Sequence, residues 1–598
     1  PRDTATVVDD GSNALGSARA AQRRFESRRV RLLPLTHESF GGSCDEIVGR
    51  ICTTFDEGEW YPEPEREEIT ALRLALLAEL DSLQEHAPAD GWILGQRVWY
   101  RAEGEDWEGA REVAAACGSV DRWWCLALEG FALHGLQRYE LAERSFETAL
   151  VLAGGERALR WRVPRWPVDG RARELLDVAQ ASPFGTSATL RRLWSLADPL
   201  YLVEGNDRLT EHYARWTATE IRDGARNPFL LPWGDDLTQL TVRHGWQVGW
   251  ERTPTRDFGA LDNVVGHNHP LGRDYMPAGE VLADPAGAAP EAMHPQVRHP
   301  RSLYAPPYAP VLLPMEGQVA VFPRGATMAV VATHFLPEDT TFHADHEHPK
   351  PWLEPGDQES MVDRIGLFAL PVPAARRERN GSASEATERR RAAEGSGLTS
   401  GRSLPVGVLR SGTTNGATLL ELPTADYVLS AESWSPSRRR AGRLRLGVPA
   451  RPAPSDIATL SDILILRPAG EVDPTTLEAA LDLALGAARL RPGEPFAIGW
   501  EVAGLGFRPE TLAFDLSVAR PGRGLLGRIG DFLGVTDPPP PLRLSWEEPG
   551  PDEPGHVFRY LELDVPELED GEYEIRLTLR TAGRSEAVAT KRFQVAVR

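Results

Sequence analysis

"LLPWGDDLTQLTVRHGWQVGWER" occupies residues 230–252 and stands where the chain changes character. Before it, apolar residues recur at helical intervals. After it, and clearly from Gln318, they follow the period of strands. The stretch sets two adjacent acids, Asp235 and Asp236, ahead of Arg243 and His244, with Trp233, Trp246 and Trp250 around them. A catalytic carboxylate pair needs two groups that face one another, one of them holding its proton unusually tightly. Adjacent residues in an extended chain point to opposite faces. The stretch therefore reads as a structural turn made by Trp233, Asp235, Asp236 and Arg243. One acid accepts backbone N–H groups, the other pairs with Arg243, and the tryptophans seal the joint between a helical half and a β half.

Outward toward the N-terminus the pattern is helical. Residues 14–33 ("ALGSARAAQRRFESRRVRLL") form an Arg-rich amphipathic segment that stops at Pro34. Residues 65–86 ("EREEITALRLALLAELDSLQEH") repeat Leu and Ala every three or four positions, with acids crowding the first turn as the helix dipole prefers. Residues 92–153 contain an internal repeat at an offset of 32: Trp92 aligns with Trp124, Leu94 with Leu126, Trp99 with Phe131, Trp107 with Tyr139 and Ala110 with Ala142. Large and small residues alternate where two helices cross, and the pattern resembles the tetratricopeptide repeat, the first copy being degenerate. Such repeats present a concave face to a partner segment; the alternative is a pair of helical hairpins that pack only on their neighbours. Residues 169–226 continue as helix, interrupted at Pro199 and ended by Asn227-Pro228.

Outward toward the C-terminus, residues 254–315 are rich in Pro, Gly and His and read as an irregular excursion. Strands follow in "QVAVFPRGATMAVVATHF", "RIGLFALPVP", "GATLLELPTADYVLSAESW" and "RAGRLRLGVPA". Between them residues 374–403 are charged and poor in apolar residues, as a mobile loop is. Residues 454–598 supply a further series of short alternating strands with turn signals between them. The expected architecture is multidomain α + β: helical and repeat-like over 1–165, a helical segment over 166–253, the excursion plus a β-sandwich over 254–453, and an immunoglobulin-like antiparallel β-sandwich over 454–598.

The formal charge of −21 argues against a nucleic-acid-binding surface. No run of 18 apolar residues exists, so no membrane-spanning segment is expected. The chain opens on "PRDTATVVDDGSNALGSA", as a processed N-terminus does, and a removed secretion signal is expected. The four cysteines fall into two pairs of equal spacing, Cys44/Cys52 and Cys117/Cys125. An even number in close pairs suits an oxidising compartment outside the cytoplasm. A continuous helix would hold each pair about 12 Å apart, whereas a disulfide needs Cα atoms within about 7 Å. Each insert must therefore turn, at Gly49 in one and at Gly118-Ser119 in the other.

One cluster carries the types that bind metal. "THFLPEDTTFHADHEHPKPW" holds His334, His343, Asp345, His346, Glu347 and His348, and His267, His269, His294 and His299 lie upstream. His343, Asp345, His346 and His348 form a candidate divalent-metal set, although the spacing matches no specific motif. Apart from that possible metal, no cofactor is expected: phosphate-loop, dinucleotide and nucleophile-elbow motifs are all missing. The 17 tryptophans raise a glycan-stacking alternative, but most sit at helix-packing positions.

The order of elements resembles the GWxTD-domain family of bacterial extracytoplasmic proteins. The resemblance rests on "LWSLADPLYLVEGNDRLTEHYARW" with Trp194, Asp198-Pro199, Asn206 and Tyr213, on the 230–252 stretch, and on "LSDILIL…PGEPFAIGWEVAGL". Two departures stand out. The name-giving motif is here Pro232-Trp233-Gly234-Asp235-Asp236, with Trp and Gly reversed, and the strand expected next ends in Val242-Arg243-His244-Gly245. The resemblance implies location and architecture rather than chemistry. The expectation is a non-enzymatic interaction or structural protein of the cell envelope or surface that binds a protein partner or assembles with itself. The alternative is a metal-dependent hydrolase or glycan-binding protein using residues 334–348.

Overall fold

The structure is a computed structural model. It describes residues 4–596 apart from 36–44, 54–63, 181–184, 254–262, 269–271, 297–299, 336–363, 373–405, 412–414, 455–456, 522–541 and 566–567. The fold is mixed α + β.

The N-terminal half holds α1 (Thr4–Leu32), the hairpin β1 (Glu46–Val48) and β2 (Ile51–Thr53), α2 (Glu67–His86), α3 (Gly91–Glu103), α4 (Trp107–Ala115), α5 (Arg122–Gly135), α6 (Tyr139–Ala153), α7 (Gly155–Arg162), α8 (Gly170–Gln180), α9 (Gly185–Ala197), α10 (Asp207–Arg222) and α11 (Asp235–His244). Side chains start several of these helices. Asp90, Asp106 and Asn206 accept the backbone N–H groups of Ile93, Gly109 and Leu209. The pairs α3–α4 and α5–α6 are helical hairpins whose aligned repeat positions, Leu94, Leu126, Ala110, Ala142, Trp99 and Phe131, are buried in one core. Gly130 is required where the Phe146 ring crosses: a Cβ there would lie 2.8 Å from it.

The cysteine inserts turn at the expected glycines. Gly118 has φ +61° and Gly49 has φ +57°. Cys117 and Cys125 form a disulfide across a Cα–Cα distance of 5.8 Å. Cys52 on β2 is also disulfide-bonded; Cys44 lies outside the described residues.

The hairpin of β3 (Gly249–Thr253) and β4 (Asn263–His267) sets Trp250 and Val264 against the helical core. Among its described residues, the excursion that follows contains the short helices α12 (Gly279–Ala283) and α13 (Pro290–Met293) and a three-residue helical turn.

The strands of the next region are β5 (Val311–Pro314), β6 (Val319–Arg324), β7 (Thr327–Phe335), β8 (Arg364–Pro371), β9 (Val406–Ser411), β10 (Asn415–Pro423), β11 (Tyr427–Ser435) and β12 (Arg440–Val448). They form a first sheet, β5-β12-β11-β8-β9, and a second, β10-β7-β6. The last region adds β13 (Thr459–Leu460), β14 (Leu464–Leu466), β15 (Arg489–Leu490), β16 (Phe496–Leu505), β17 (Thr511–Ala519), β18 (Leu542–Pro549), β19 (Gly555–Leu563), β20 (Gly571–Thr581) and β21 (Ala587–Val595). These make a third sheet, β13-β16-β14 with β19 beside β16, and a fourth, β15-β21-β20-β17-β18. Purely antiparallel sheets were expected. The first and fourth are mixed, because β5 runs parallel to β12 and β15 parallel to β21.

The period of two in each strand decides how the sheets stack. Leu367, Ala369, Leu429 and Ala431 of the first sheet meet Val321, Met328, Val330 and Leu420 of the second. The opposite face of the second, with Ala320, Phe322, Ala329 and Val331, meets Leu464, Leu466, Ala497 and Phe558 of the third. The other face of the third, with Ile465, Phe496, Ile498 and Trp500, meets Phe514, Leu516, Ile575 and Leu577 of the fourth. Phe368, Leu370 and Val428, on the outer face of the first sheet, pack on Leu193, Trp194 and Tyr201 of the helical half. The molecule is a helical block followed by four sheets in series.

Candidate functional site

The 230–252 stretch does not fold as the expected turn and strand. Asp235–His244 is the helix α11. Its ends explain it: two acids occupy the first turn, Arg243 and His244 the last, and Gly245 stops it at φ +87°. Leu237, Leu240, Thr241 and His244 recur at helical spacing and are buried. The same signs are visible in the sequence and outweigh the strand reading that the family resemblance encouraged.

The pairing differs too. Asp236 bonds not to Arg243 but to Arg50, with Arg50 Nε 2.6 Å from Oδ2 and Nη2 2.7 Å from Oδ1. Arg50 also donates to the Pro232 carbonyl. Arg243 bonds Glu46 through both terminal nitrogens, at 2.5 and 2.8 Å, and donates Nε to the Arg301 carbonyl. The β1–β2 hairpin thus straddles α11, holding its first turn through Arg50 and its last through Glu46. Asp235 is exposed. Trp233 donates to Thr238 Oγ1 and packs beside Ile51, Leu237 and Leu240. Arg50 holds the Asp236 carboxyl well below the usual carboxylate range. The stretch therefore belongs to the helical half and is not its joint with the sheets.

Behind α11 lies α10, a helix buried on nearly every face despite its charges. His134 bonds Thr210 Oγ1 at 2.9 Å and Glu211 Oε2 at 2.7 Å. Glu211 Oε1 pairs with Arg215, which donates onward to the carbonyls of Arg243 and Leu303. The hydroxyls of Tyr304 and Tyr308 donate to Asp207 Oδ2 at 2.8 and 3.2 Å. Burial raises the Asp207 carboxyl to about 6, despite those two donors. Burial, then the Arg208 guanidinium, lowers the His212 imidazole to about 3. These groups are enclosed by side chains and serve as a polar core.

The joint with the sheets is made by β12, whose "GRLRLG" turns its arginines inward. Arg443 donates to the carbonyls of Asp198, Pro199 and Met293 at 3.2, 3.1 and 3.0 Å. Arg445 donates to the carbonyls of Leu196 and Asp198, both at 2.9 Å, and pairs with Glu432 at 3.1 Å. Glu432 accepts the Leu202 N–H in turn. The Asp198-Pro199 step is thus the element grasped by the first sheet. Leu444 and Leu446, alternating with the arginines, face the second sheet. Gly447 is needed because a Cβ there would lie 2.3 Å from the carbonyl oxygens of Pro285 and Ala286.

Beside this joint opens a cleft of two adjoining cavities, of about 430 and 550 Å3, which share Met293, His294, Gln296 and Arg445 in their walls. The first is bounded by Asp274, Met276 and Arg301 of the excursion. The second reaches Arg443 and Met315 and then Ala488, Arg489 and Gln594 of the last sandwich. Of these residues only His294 stands out in the sequence; Arg443 and Arg445 read there as ordinary strand residues.

The candidate metal residues His343, Asp345, His346 and His348 lie outside the described residues. Among the described residues no group of three or more His, Cys, Asp or Glu is arranged to hold a metal ion. His334 sits buried in β7. Trp99, Trp124, Trp161, Trp194, Trp216 and Trp500 are all buried, as packing residues are. No described helix is long and apolar enough to cross a membrane.

No family model matches the chain, and no curated protein matches it in sequence. Parts of it are similar to solved structures. Red sea bream transglutaminase shares 9% identity over 47% of this chain and 32% of its own, with a TM-score of 0.15. A Bacteroides uniformis beta-glucuronidase shares 11% identity over 46% of this chain and 26% of its own, with a TM-score of 0.16. A protein described as membrane anchored from Corynebacterium diphtheriae shares 12% identity over 48% of this chain and 59% of its own, with a TM-score of 0.14. The chain thus spans less than two thirds of each, and no functional residue is carried across.

Proposed function

We propose that the chain is a non-enzymatic structural and interaction protein acting outside the cytoplasm, as a component of an envelope or surface assembly. The observation that carries this reading is the continuity of the stack. The first three sheets are covered on both faces, and the first is fastened to the helices by buried arginines. A body joined in this way suits a rigid support that displays one end to a partner. Of the acids that most resembled catalytic equipment, Asp236 is engaged in holding α11 through Arg50, and Asp235 faces solvent. The Cys117–Cys125 disulfide supports an oxidising compartment. In this reading the α3–α6 hairpins are tetratricopeptide-like, the sandwiches are immunoglobulin-like, and the region around Asp198-Pro199 is a divergent GWxTD-like segment.

The displayed end is the helical one. Leu141, Val151, Leu152 and Leu159 are exposed on α6 and α7, Val151 at 70%. Four such side chains on two consecutive helices offer this end as a contact surface. The test is the assembly state of the native protein, by sedimentation and by electron microscopy of source material. Self-association or a stoichiometric partner, weakened by Leu152→Asp, is expected. A lone monomer with no partner sinks the reading. Four reactive thiols in denatured, natively sourced protein refute the compartment.

A further inference from the structure

The cleft at the joint holds a buried cation that has no ion pair of its own among the described residues. Most ionised groups in its walls are matched. Arg301 lies 3.6 Å from Asp274, Arg489 lies 2.7 Å from Glu316, and Arg445 lies 3.1 Å from Glu432. Glu280 and Glu291 stand at the exposed rim. Arg443 differs. It is 6% exposed, and among the described residues no carboxylate pairs with it. Its bonds go to three carbonyl oxygens, which leaves two of the five guanidinium N–H donors unused. The Tyr275 ring lies 5.6 Å from its centre. Carbonyl dipoles, an aromatic face and the Glu432 carboxylate that Arg445 already engages soften this buried cation, but none gives it an ion pair of its own, and such a charge is costly to leave so.

Beside Gln296, Gln594 and His294, the remaining lining is largely apolar. Met276, Met293, Met315, Leu444 and Ala488 form the walls, and methionines adapt to irregular shapes. Burial, then Arg273 and Arg443, hold His294 below its ordinary value, so at neutral pH it stands as an uncharged imidazole with one N–H to offer. Cavities of about 430 and 550 Å3 fall in the range of small-molecule sites.

We propose that this cleft binds a small organic anion, an apolar body bearing one carboxylate, with the carboxylate against Arg443. A carboxylate supplies paired acceptors that match a guanidinium's donors. The apolar body lies along the methionines, between the excursion and the two sandwiches. This does not depend on the scaffold reading.

The experiment is calorimetric titration of the full chain with octanoate and benzoate, each against its neutral amide, at constant chloride. One-site saturable binding of at least one acid is expected, with its amide weaker by about tenfold or more. Arg443→Lys keeps part of the affinity and Arg443→Gln loses it. Because Arg443 also holds three carbonyls, Ala488→Trp provides an independent arm. It narrows the cavity from the far wall without touching the clamp; because Ala488 also packs on the core of the last two sheets the melting temperature falls, and binding is abolished in the protein that remains folded. No saturable binding by either acid, equal binding of acid and amide, or undiminished binding in a folded Ala488→Trp protein would each overturn the proposal.

Discussion

The first sheet meets the helices through arginines set among hydrocarbon, whereas the second sheet meets the third mainly through hydrocarbon. In the first interface Arg443 and Arg445 reach main-chain carbonyls of Leu196, Asp198, Pro199 and Met293, with Glu432 as counter-ion. In the second, Phe322 and Val331 pack on Leu466 and Ala497, and polar bonds are few: buried Gln318 bonds the Ile465 backbone, and Arg324 pairs with Glu501 at 2.6 Å. The difference follows from what each side offers. A chain turn at Asp198-Pro199 presents carbonyls that no sheet or helix satisfies, so a donor must come to them. Two sheets satisfy most of their own backbone groups, so matched side-chain shape does most of the joining.

Charge joints and apolar joints fail differently, and the largest effect should show this. Arg445→Ala leaves Glu432 buried without its cation and strips the carbonyls of Leu196 and Asp198. A loss of about 3–5 kcal/mol in denaturant unfolding is expected. Adding Glu432→Gln to that variant should recover a good part of it, because the stranded charge is removed. If the double variant is no better than the single, the carbonyl bonds rather than the ion pair hold the joint. Phe322→Ala should cost about 3 kcal/mol or somewhat more by opening a cavity. Here Phe322→Leu should recover most of the loss, and salt should change nothing.

The alternation that positions these residues was largely legible. "QVAVFPRGATMAVVATHF" and "RIGLFALPVP" read correctly as strands, and Gly49 and Gly118 were placed as turns inside the cysteine pairs. More could have been read. Runs such as "IGLFAL" are apolar at every position because both faces are covered. "TLAFDLSVA" alternates because the outer face of the fourth sheet is open to water, as its burial pattern shows. What could not be read was the partner of each charge. Arg443 and Arg445 violate the rule that arginine faces out, and only the approach of a turn some 245 residues away explains them. The misreading of α11 had a different cause. A family pattern suggested a strand, although acids at the start, bases at the end and a glycine stop already described a helix.

Buried charge on the helical side should also write itself into the pH dependence. Asp207 has a folded value near 6, above its unfolded value near 4. Its contribution is therefore full at low pH and is lost as pH rises from about 4 to about 6. His212 has a folded value near 3, below its unfolded value. Its neutral form is favoured by folding, and that contribution is lost as pH falls from about 6.5 to about 3. The two slopes oppose between about pH 4 and 6. Asp207→Asn removes only the first. Relative to wild type it should gain about 2–3 kcal/mol on going from pH 4 to pH 7, measured by unfolding at each pH. A relative loss over that range would reverse the assignment.

The smallest effects belong to the hairpin that straddles α11, and they sharpen the contrast because each of its ion pairs has one member partly open to water. Glu46 is partly exposed opposite Arg243, and Arg50 is more exposed opposite Asp236. Glu46→Gln should cost about 1 kcal/mol or less at low salt, since solvent screens the pair. Arg50→Gln should cost less still in neutral solution. Because Arg50 holds the Asp236 carboxyl below its unfolded value, this pair contributes above the ordinary carboxylate pKa and is lost as pH falls through the depressed value. The advantage of wild type over Arg50→Gln should accordingly fade on acidification. Raising salt to about 1 M should shrink the Glu46→Gln effect, since screening then acts over about 3 Å. It should leave Arg445→Ala as damaging as before. A salt-insensitive Glu46→Gln effect would place the hairpin's grip in the same class as the Arg445 clamp. The hairpin would then be a second buried joint, and α11 a member of the molecule's rigid core rather than a helix pinned at its surface.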